Sequence, residues 1–343
     1  MSQMDTAYST QRIALTLAPG GENDRNSELI GVEPEKGTGY TFAQLEALGS
    51  YWERRGKKIE LLDLNEKLFD GIMVDEKAGV LIIRNFLKEE LCKPLFEEWY
   101  AFEWDTTYVD WKKDRRDVAG NKIIYTLQMH ENALKGKVDP AVGFINHSIQ
   151  SVGNPIKGRL MNKRARKNIC GQHGNSQEPT FHSYGNQGRI VDTKNMKLYK
   201  GVYEGILSDI REALSSSDAH LYEFITEGNL YHDPTRYIGW HGDTERSQVV
   251  CLSLGRSKFP LRYCWFHKGR AVSDIVNISL NSGDLYVMSE KAVGMDWRCR
   301  SIPTLRHSAG DNKSASELPG MKRKNVGEKK RKDKSLKQMK LMF

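Results

Sequence analysis

The sequence predicts an α+β protein, an antiparallel β-sandwich or jelly roll with helices packed outside its sheets. Three observations carry this expectation. Several segments before residue 220 place apolar residues at helical spacing. After residue 220 the period changes to two. The segments with that period are short, numerous and separated by turn residues, which favours a sandwich over a parallel sheet.

In chain order, residues 1–40 are polar and punctuated by PGGENDRN and EKGTG, which predicts a loose, disordered segment. A helix is expected over 41–55, opened by Thr41 as N-cap, with apolar residues of TFAQLEALGSYW at i, i+3 and i+4. AGVLIIRNF (78–86) reads as a strand and residues 87–102 as a helix. The pattern from 103 to 180 is irregular, and its Gly- and Asn-rich part, roughly 151–178, reads as a long loop. Residues 200–217 predict an amphipathic helix, and NISL–NSG–DLYVM predicts a hairpin.

Composition removes several classes. The chain has 343 residues, a formal net charge of +8 and five cysteines. Cys92, Cys170, Cys251, Cys264 and Cys299 are odd in number and scattered, which argues against a disulfide scaffold and for a reducing, intracellular setting. No apolar run approaches the roughly 18 residues of a membrane span, and no signal-like segment opens the chain. The excess charge sits in residues 322–343, with ten Lys or Arg against Glu328 and Asp333; the rest of the chain is neutral. Such a tail, from 314 onward, is expected to be disordered and suits nucleic-acid contact or, through KKRKDK, a nuclear address in a eukaryote. A second basic cluster holds Lys157, Arg159, Lys163, Arg164, Arg166 and Lys167 and is a candidate for phosphate contact.

The chemistry lies between Asn229 and His307. In YIGWHGDTER, His241 and Asp243 are two apart on an expected strand, so both leave one face. One imidazole and one carboxylate are two-thirds of a facial triad, which with a second imidazole holds Fe(II) and leaves positions open. Asn229 and Tyr231 again share one face of the preceding strand. Of the two histidines downstream, His267 sits in a turn-like FHKGR, whereas His307 follows the strand SIPTLR. His307 is therefore the expected third ligand. A zinc site built on CGQH (170–173) with His182 is the weaker alternative, because four ligands at good spacing are not evident.

NLYHDPTRYIGWHGDTER resembles the core of the AlkB-type Fe(II)/2-oxoglutarate dioxygenases, where N-x-Y is followed by I-G-x-H-x-D-x-E. EPTFHSYGNQG (178–188) is similar to that family's segment ending in Y-G, and AGVLIIRNFLKEELCKPLFEEW to its opening strand and helix. The resemblance covers roughly 78–313, which would form the dioxygenase domain after a helical extension at 41–77. It implies a double-stranded β-helix, a jelly roll with iron between its sheets. It also implies that His241 and Asp243 bind iron, that Asn229 and Tyr231 hold 2-oxoglutarate, and that Tyr184 lines the pocket of a flipped base.

The sequence departs from the family at its third ligand. The family pattern is W-x-H-x-(I/L)-P followed by R-x-N-L-T-F-R; the matching stretch here is DWRCRSIPTLRHSAG (296–310). Aligning Ile302-Pro303, with Trp297 just upstream, puts Arg300 in the His position, while a second register lets Arg300 and Arg306 reproduce the R-x5-R spacing. His307 is retained as the ligand, and Arg306 is the candidate cation for the oxo-acid carboxylate, a task suited to the guanidinium fork.

The resemblance implies oxidation of a methyl group on a nucleic-acid base, consuming O2 and 2-oxoglutarate and releasing succinate and CO2. Two other classes stay open: the same chemistry on a protein or small molecule, and a non-catalytic nucleic-acid-binding module with a degenerate site.

Overall fold

A computed structural model describes residues 2–22, 29–111, 124–126, 144–151, 154–163, 165–182, 185–214 and 224–318. Among the described residues, four α-helices lie before residue 220: α1 (Gln3–Thr10), α2 (Phe42–Arg54), α3 (Glu89–Tyr100) and α4 (Lys197–Ala213). The strands of the two principal sheets are β1 (Arg12–Ala18), β2 (Lys58–Asp63), β3 (Gly79–Arg84), β4 (Lys167–Gln172), β5 (Ile190–Asp192), β6 (Ile225–Tyr231), β7 (Ile238–His241), β8 (Val249–Gly255), β9 (Phe259–His267), β10 (Arg270–Ala271), β11 (Val276–Leu280), β12 (Leu285–Met288) and β13 (Thr304–Ala309). The protein is thus of mixed α+β type, with helices preceding most of the strands.

Eight strands form the large sheet in the order β5-β4-β6-β1-β8-β12-β3-β2, and the small sheet runs β7-β13-β9-β10 with β11 also on β9. Pairing is antiparallel throughout these sheets except between β4 and β5. Short pairs join Gly20–Glu22 to Leu29–Gly31, and a three-stranded sheet joins Thr107–Trp111, Asn154–Asn162 and Phe144–Ser151.

One face of the large sheet packs against the helices. Thr41 caps α2 as the sequence suggested: its Oγ1 accepts from the Gln44 amide at 3.2 Å while Gln44 Oε1 accepts from the Thr41 amide at 2.8 Å. Leu45, Leu48 and Trp52 then face the sheet one and two turns apart. Phe96 and Trp99 of α3 and Ile206 and Ile210 of α4 join them against Ile13, Leu15 and Leu17 of β1. Each such side chain, fully buried, contributes about 1.5–3 kcal/mol. The other face shares a second core with the small sheet, from Val80, Ile82, Val249 and Met288 on one side to Leu261, Tyr263 and Leu305 on the other.

Three expectations are corrected. Residues 1–40 are not loose where they are described: α1 is closed by a Ser2–Asp5 capping box, and β1 lies inside the large sheet, paired with β6 and β8. Strict alternation in RIALTLA, with Ile13, Leu15 and Leu17 on one face, is the physical reason. Residues 41–77 are not a separate extension either, because β2 pairs with β3 and α2 covers that pair. The expected loop at 151–178 instead contains Asn154–Asn162 and β4. Of the tail expected from 314, the described part includes a short helix, Lys313–Ser316, whose Ala315 carbonyl accepts from Ser308 Oγ at 2.7 Å; the rest, beyond residue 318, lies outside the described residues.

Candidate metal centre

The small-sheet ladder assembles the site. β7 runs antiparallel to β13, and His241 and His307 are Cα partners across that pair. Their rings stand 4.4 Å apart between centroids at 61°. β7 ends at His241, and Asp243 follows just beyond it, its amide donating to the Val293 carbonyl at 3.0 Å. Gly242 permits this turn: a β-carbon there would overlap the carbonyl oxygen of Gly294 and crowd Trp297.

His241, Asp243 and His307 offer one donor atom each, all within 4.8 Å of one another. Asp243 Oδ1 lies 3.5 Å from His241 Nε2 and 3.6 Å from His307 Nε2. Donors about 2.1 Å from one metal, at right angles, lie about 3 Å apart, so a small inward adjustment would close the set. The backbone carbonyl of Gly239 sits 2.7 Å from His241 Nδ1, fixing the ring with Nε2 toward the centre. His307 Nδ1 is buried and has no hydrogen-bond partner.

Burial, reinforced by His307, lowers the His241 pKa to about 4, so the imidazole is neutral and available as a ligand at neutral pH. Burial alone would raise Asp243; Arg246, and after it His307 and His241, outweigh that and hold the carboxyl well below its usual range. The donor set, two imidazoles and one carboxylate, suits a divalent transition metal. This buried His-Asp-His group can bind a metal ion.

The three residues open into a cavity of about 550 Å³, also lined by Asn229, Tyr231 and Arg166. Asn229 and Tyr231 therefore meet the triad from the large sheet, as their N-x-Y spacing suggested. Tyr231 is buried against Phe259, ring centroids 4.8 Å apart. Arg166 donates to Asn229 Oδ1 and, at 3.3 Å, to Glu227 Oε1. It is thus turned inward, which removes it from the expected phosphate-contacting cluster. Lys163 lines the cavity and donates to Asn168 Oδ1 at 2.7 Å, while Arg164 lies outside the described residues.

Arg306 is not a cavity residue, and that expectation is corrected. Successive strand residues point to opposite faces, so with His307 inward Arg306 must point outward. Its guanidinium lies 4.4 Å from the Phe266 ring centroid and donates to the Trp297 carbonyl at 3.3 Å. Arg300 reaches the Lys268 carbonyl instead. Tyr184 lies outside the described residues. Cys170 is buried and His173 exposed, and among the described residues they join no metal-binding group, so the zinc alternative gains no support.

Sequence reasoning missed Arg12, Glu227 and Arg246. Arg12 projects from β1 on the same face as Ala14 and Thr16, which line the cavity, and is the Cα partner of Tyr231. It is 1% exposed; Nη1 donates to the Arg256 and Leu280 carbonyls and the guanidinium lies 5.1 Å from the Phe259 ring centroid, whereas Nε and Nη2 have no hydrogen-bond partner among the described residues. Burial lowers its pKa to about 10. One signal was available: the alternation in RIALTL (12–17) sets Arg12 on one face with Ala14 and Thr16, opposite Ile13, Leu15 and Leu17.

No protein-family model matches the chain. It is 31% identical over 244 residues to an uncharacterized protein of Acanthamoeba polyphaga mimivirus, covering 69% of this chain and 90% of that relative. The chain belongs to the same family as this viral protein. No helix among the described residues is long and apolar enough to cross a membrane.

Proposed function

We propose that this protein is an Fe(II)- and 2-oxoglutarate-dependent dioxygenase of AlkB type that oxidises a methyl group on a nucleic-acid base. In this reading the two facing sheets are a double-stranded β-helix whose closing strand, β1, comes from the N-terminal end of the chain. The observation that carries the proposal is the convergence of His241, Asp243 and His307 at the mouth of a cavity that also contains Asn229 and Tyr231.

His241, Asp243 and His307 would hold Fe(II), which supplies the activation of O2 that a side chain cannot. Arg12 replaces Arg306 as the candidate for the distal carboxylate of 2-oxoglutarate. A buried guanidinium with two unpaired N–H groups is costly unless an anion meets it. The adjacent Tyr231 hydroxyl, which burial raises to about 12, stays protonated and can donate to the same carboxylate. Asn229 offers an amide nearer the triad. Trp297 lines the cavity close to the His241–Asp243 turn. Lys163 and Arg298 at this cavity, with the tail at 322–343, supply the positive charge a phosphate backbone favours. A base within a duplex would have to be flipped out to reach the triad.

The test is succinate formation from 2-oxoglutarate after anaerobic loading with Fe(II), with and without methylated oligonucleotides. The expected result is turnover by the wild type, loss of at least about 100-fold in Asp243→Ala, and stimulation by a methylated oligonucleotide. Turnover without any oligonucleotide effect would redirect the substrate to a protein or small molecule. No turnover at all would leave a binding module.

A further inference from the structure

Asp243 has two carboxylate oxygens, and they face different partners. Oδ1 looks toward His241 and His307, as described above. Oδ2 lies 3.6 Å from Nε of Arg246, a side chain only 4% exposed. Among the described residues that Nε has no hydrogen-bond partner, and the carboxylate is the acidic group it approaches. Arg246 is itself held from behind: Nη2 donates to Glu227 and, at 2.9 Å, to Glu245 Oε1. Glu227, buried on β6, is held in turn by Arg166. Burial would raise the Glu227 carboxyl, but Arg246 and then Arg166 outweigh it and keep the group ionised. The result is a buried row of alternating charge, Asp243–Arg246–Glu227–Arg166, running from the triad into the large sheet.

We propose that Arg246, locked by Glu227, reserves Oδ2 of Asp243 and so restricts this carboxylate to a single bond to the metal. This inference rests on the metal-centre reading and adds a constraint to it. A carboxylate beside a divalent ion binds through one oxygen or two. Two-oxygen binding would consume a further coordination position, leaving about two open instead of about three. A bidentate oxo acid and O2 together require about three. Arg246 is thus a positioning residue: it sets how many sites the metal keeps open without touching the metal. Its place in the chain, three residues after Asp243, makes the arrangement local, while Glu227 ties it to a strand of the opposite sheet.

Mn(II) bound to the full-length protein is the probe, with the number of exchangeable metal-bound waters counted by water relaxation. The wild type is expected to keep about three. Arg246→Met, with Oδ2 released, is expected to keep about two and to bind Mn(II) roughly 10–100-fold more weakly. Arg246→Lys retains the charge and should hold the wild-type count, and Glu227→Gln should move in the direction of Arg246→Met. Thermal unfolding of the metal-free variants separates a purely structural role, which lowers the midpoint without changing the count. If Arg246→Met does not fold, the Glu227→Gln count decides. An unchanged count of about three in that deciding variant at saturating Mn(II) overturns the proposal. So does a wild-type count of about two. A wild type that binds no Mn(II) overturns the metal-centre reading itself, a distinguishable result.

Discussion

The two faces of the large sheet have been put to opposite uses, and β1 displays both. Ile13, Leu15 and Leu17 enter the core under the helices; the alternate residues Arg12, Ala14 and Thr16 face the other side, where Ala14 and Thr16 line the cavity and Arg12 pairs with Tyr231. The first set is interchangeable apolar volume. The second includes a buried cation with unmade hydrogen bonds, a cost that packing does not explain. A strand of this kind can therefore be damaged in two separable ways, through stability or through the site.

Substitutions on β1 sharpen that contrast. Leu15→Ala leaves a cavity between the sheet and the helices and is expected to cost about 2–5 kcal/mol in urea unfolding. Metal affinity of the folded fraction should be unchanged; a parallel loss of metal binding would show that the two faces are not independent. Arg12→Met is expected to do the converse. It should weaken 2-oxoglutarate binding to the Mn(II) protein about 10–100-fold, the equivalent of about 1.5–3 kcal/mol for charged hydrogen bonds. The same variant should leave stability without ligand equal or higher, since it removes an uncompensated buried charge. Arg306→Met, on the outward face of β13, should leave 2-oxoglutarate affinity within error of the wild type.

A smaller effect should appear with pH. The folded state lowers His241 from 6.5 to about 4, so the unfolded chain binds this proton more readily. Metal-free protein should therefore lose stability as pH falls from about 6.5 toward 4, by on the order of 1–2 kcal/mol at pH 5. His232 is shifted in the same direction, so the measurement is the difference between wild type and His241→Gln. An identical pH slope in both would remove His241 as the cause.

The same alternation explains what the sequence could and could not disclose. H-x-D and N-x-Y were legible from their spacing of two, and the structure brings both pairs to one cavity, although Asp243 lies just past the end of its strand. His307 was legible from its place on a strand after the turn. Choosing its neighbour Arg306 for the same cavity was inconsistent with that reading, because adjacent strand residues cannot share a face. Arg12 was hidden for a different reason: its strand partners, such as Tyr231 and Gly255, lie more than 200 positions away. The polar stretch after β1 concealed the strand as well. Glu227 and Arg246 looked like ordinary surface charges, since sequence alone does not show that a pair is buried together.

We propose that His241, Asp243 and His307 bind one metal ion between the sheets. Calorimetric titration of the metal-free protein with Mn(II), repeated on His307→Ala, is the measurement that decides it. About one ion per chain is expected for the wild type and a loss of affinity of at least about 100-fold in the variant, with folding retained by circular dichroism. No binding by the wild type, or equal binding by His307→Ala, would contradict it.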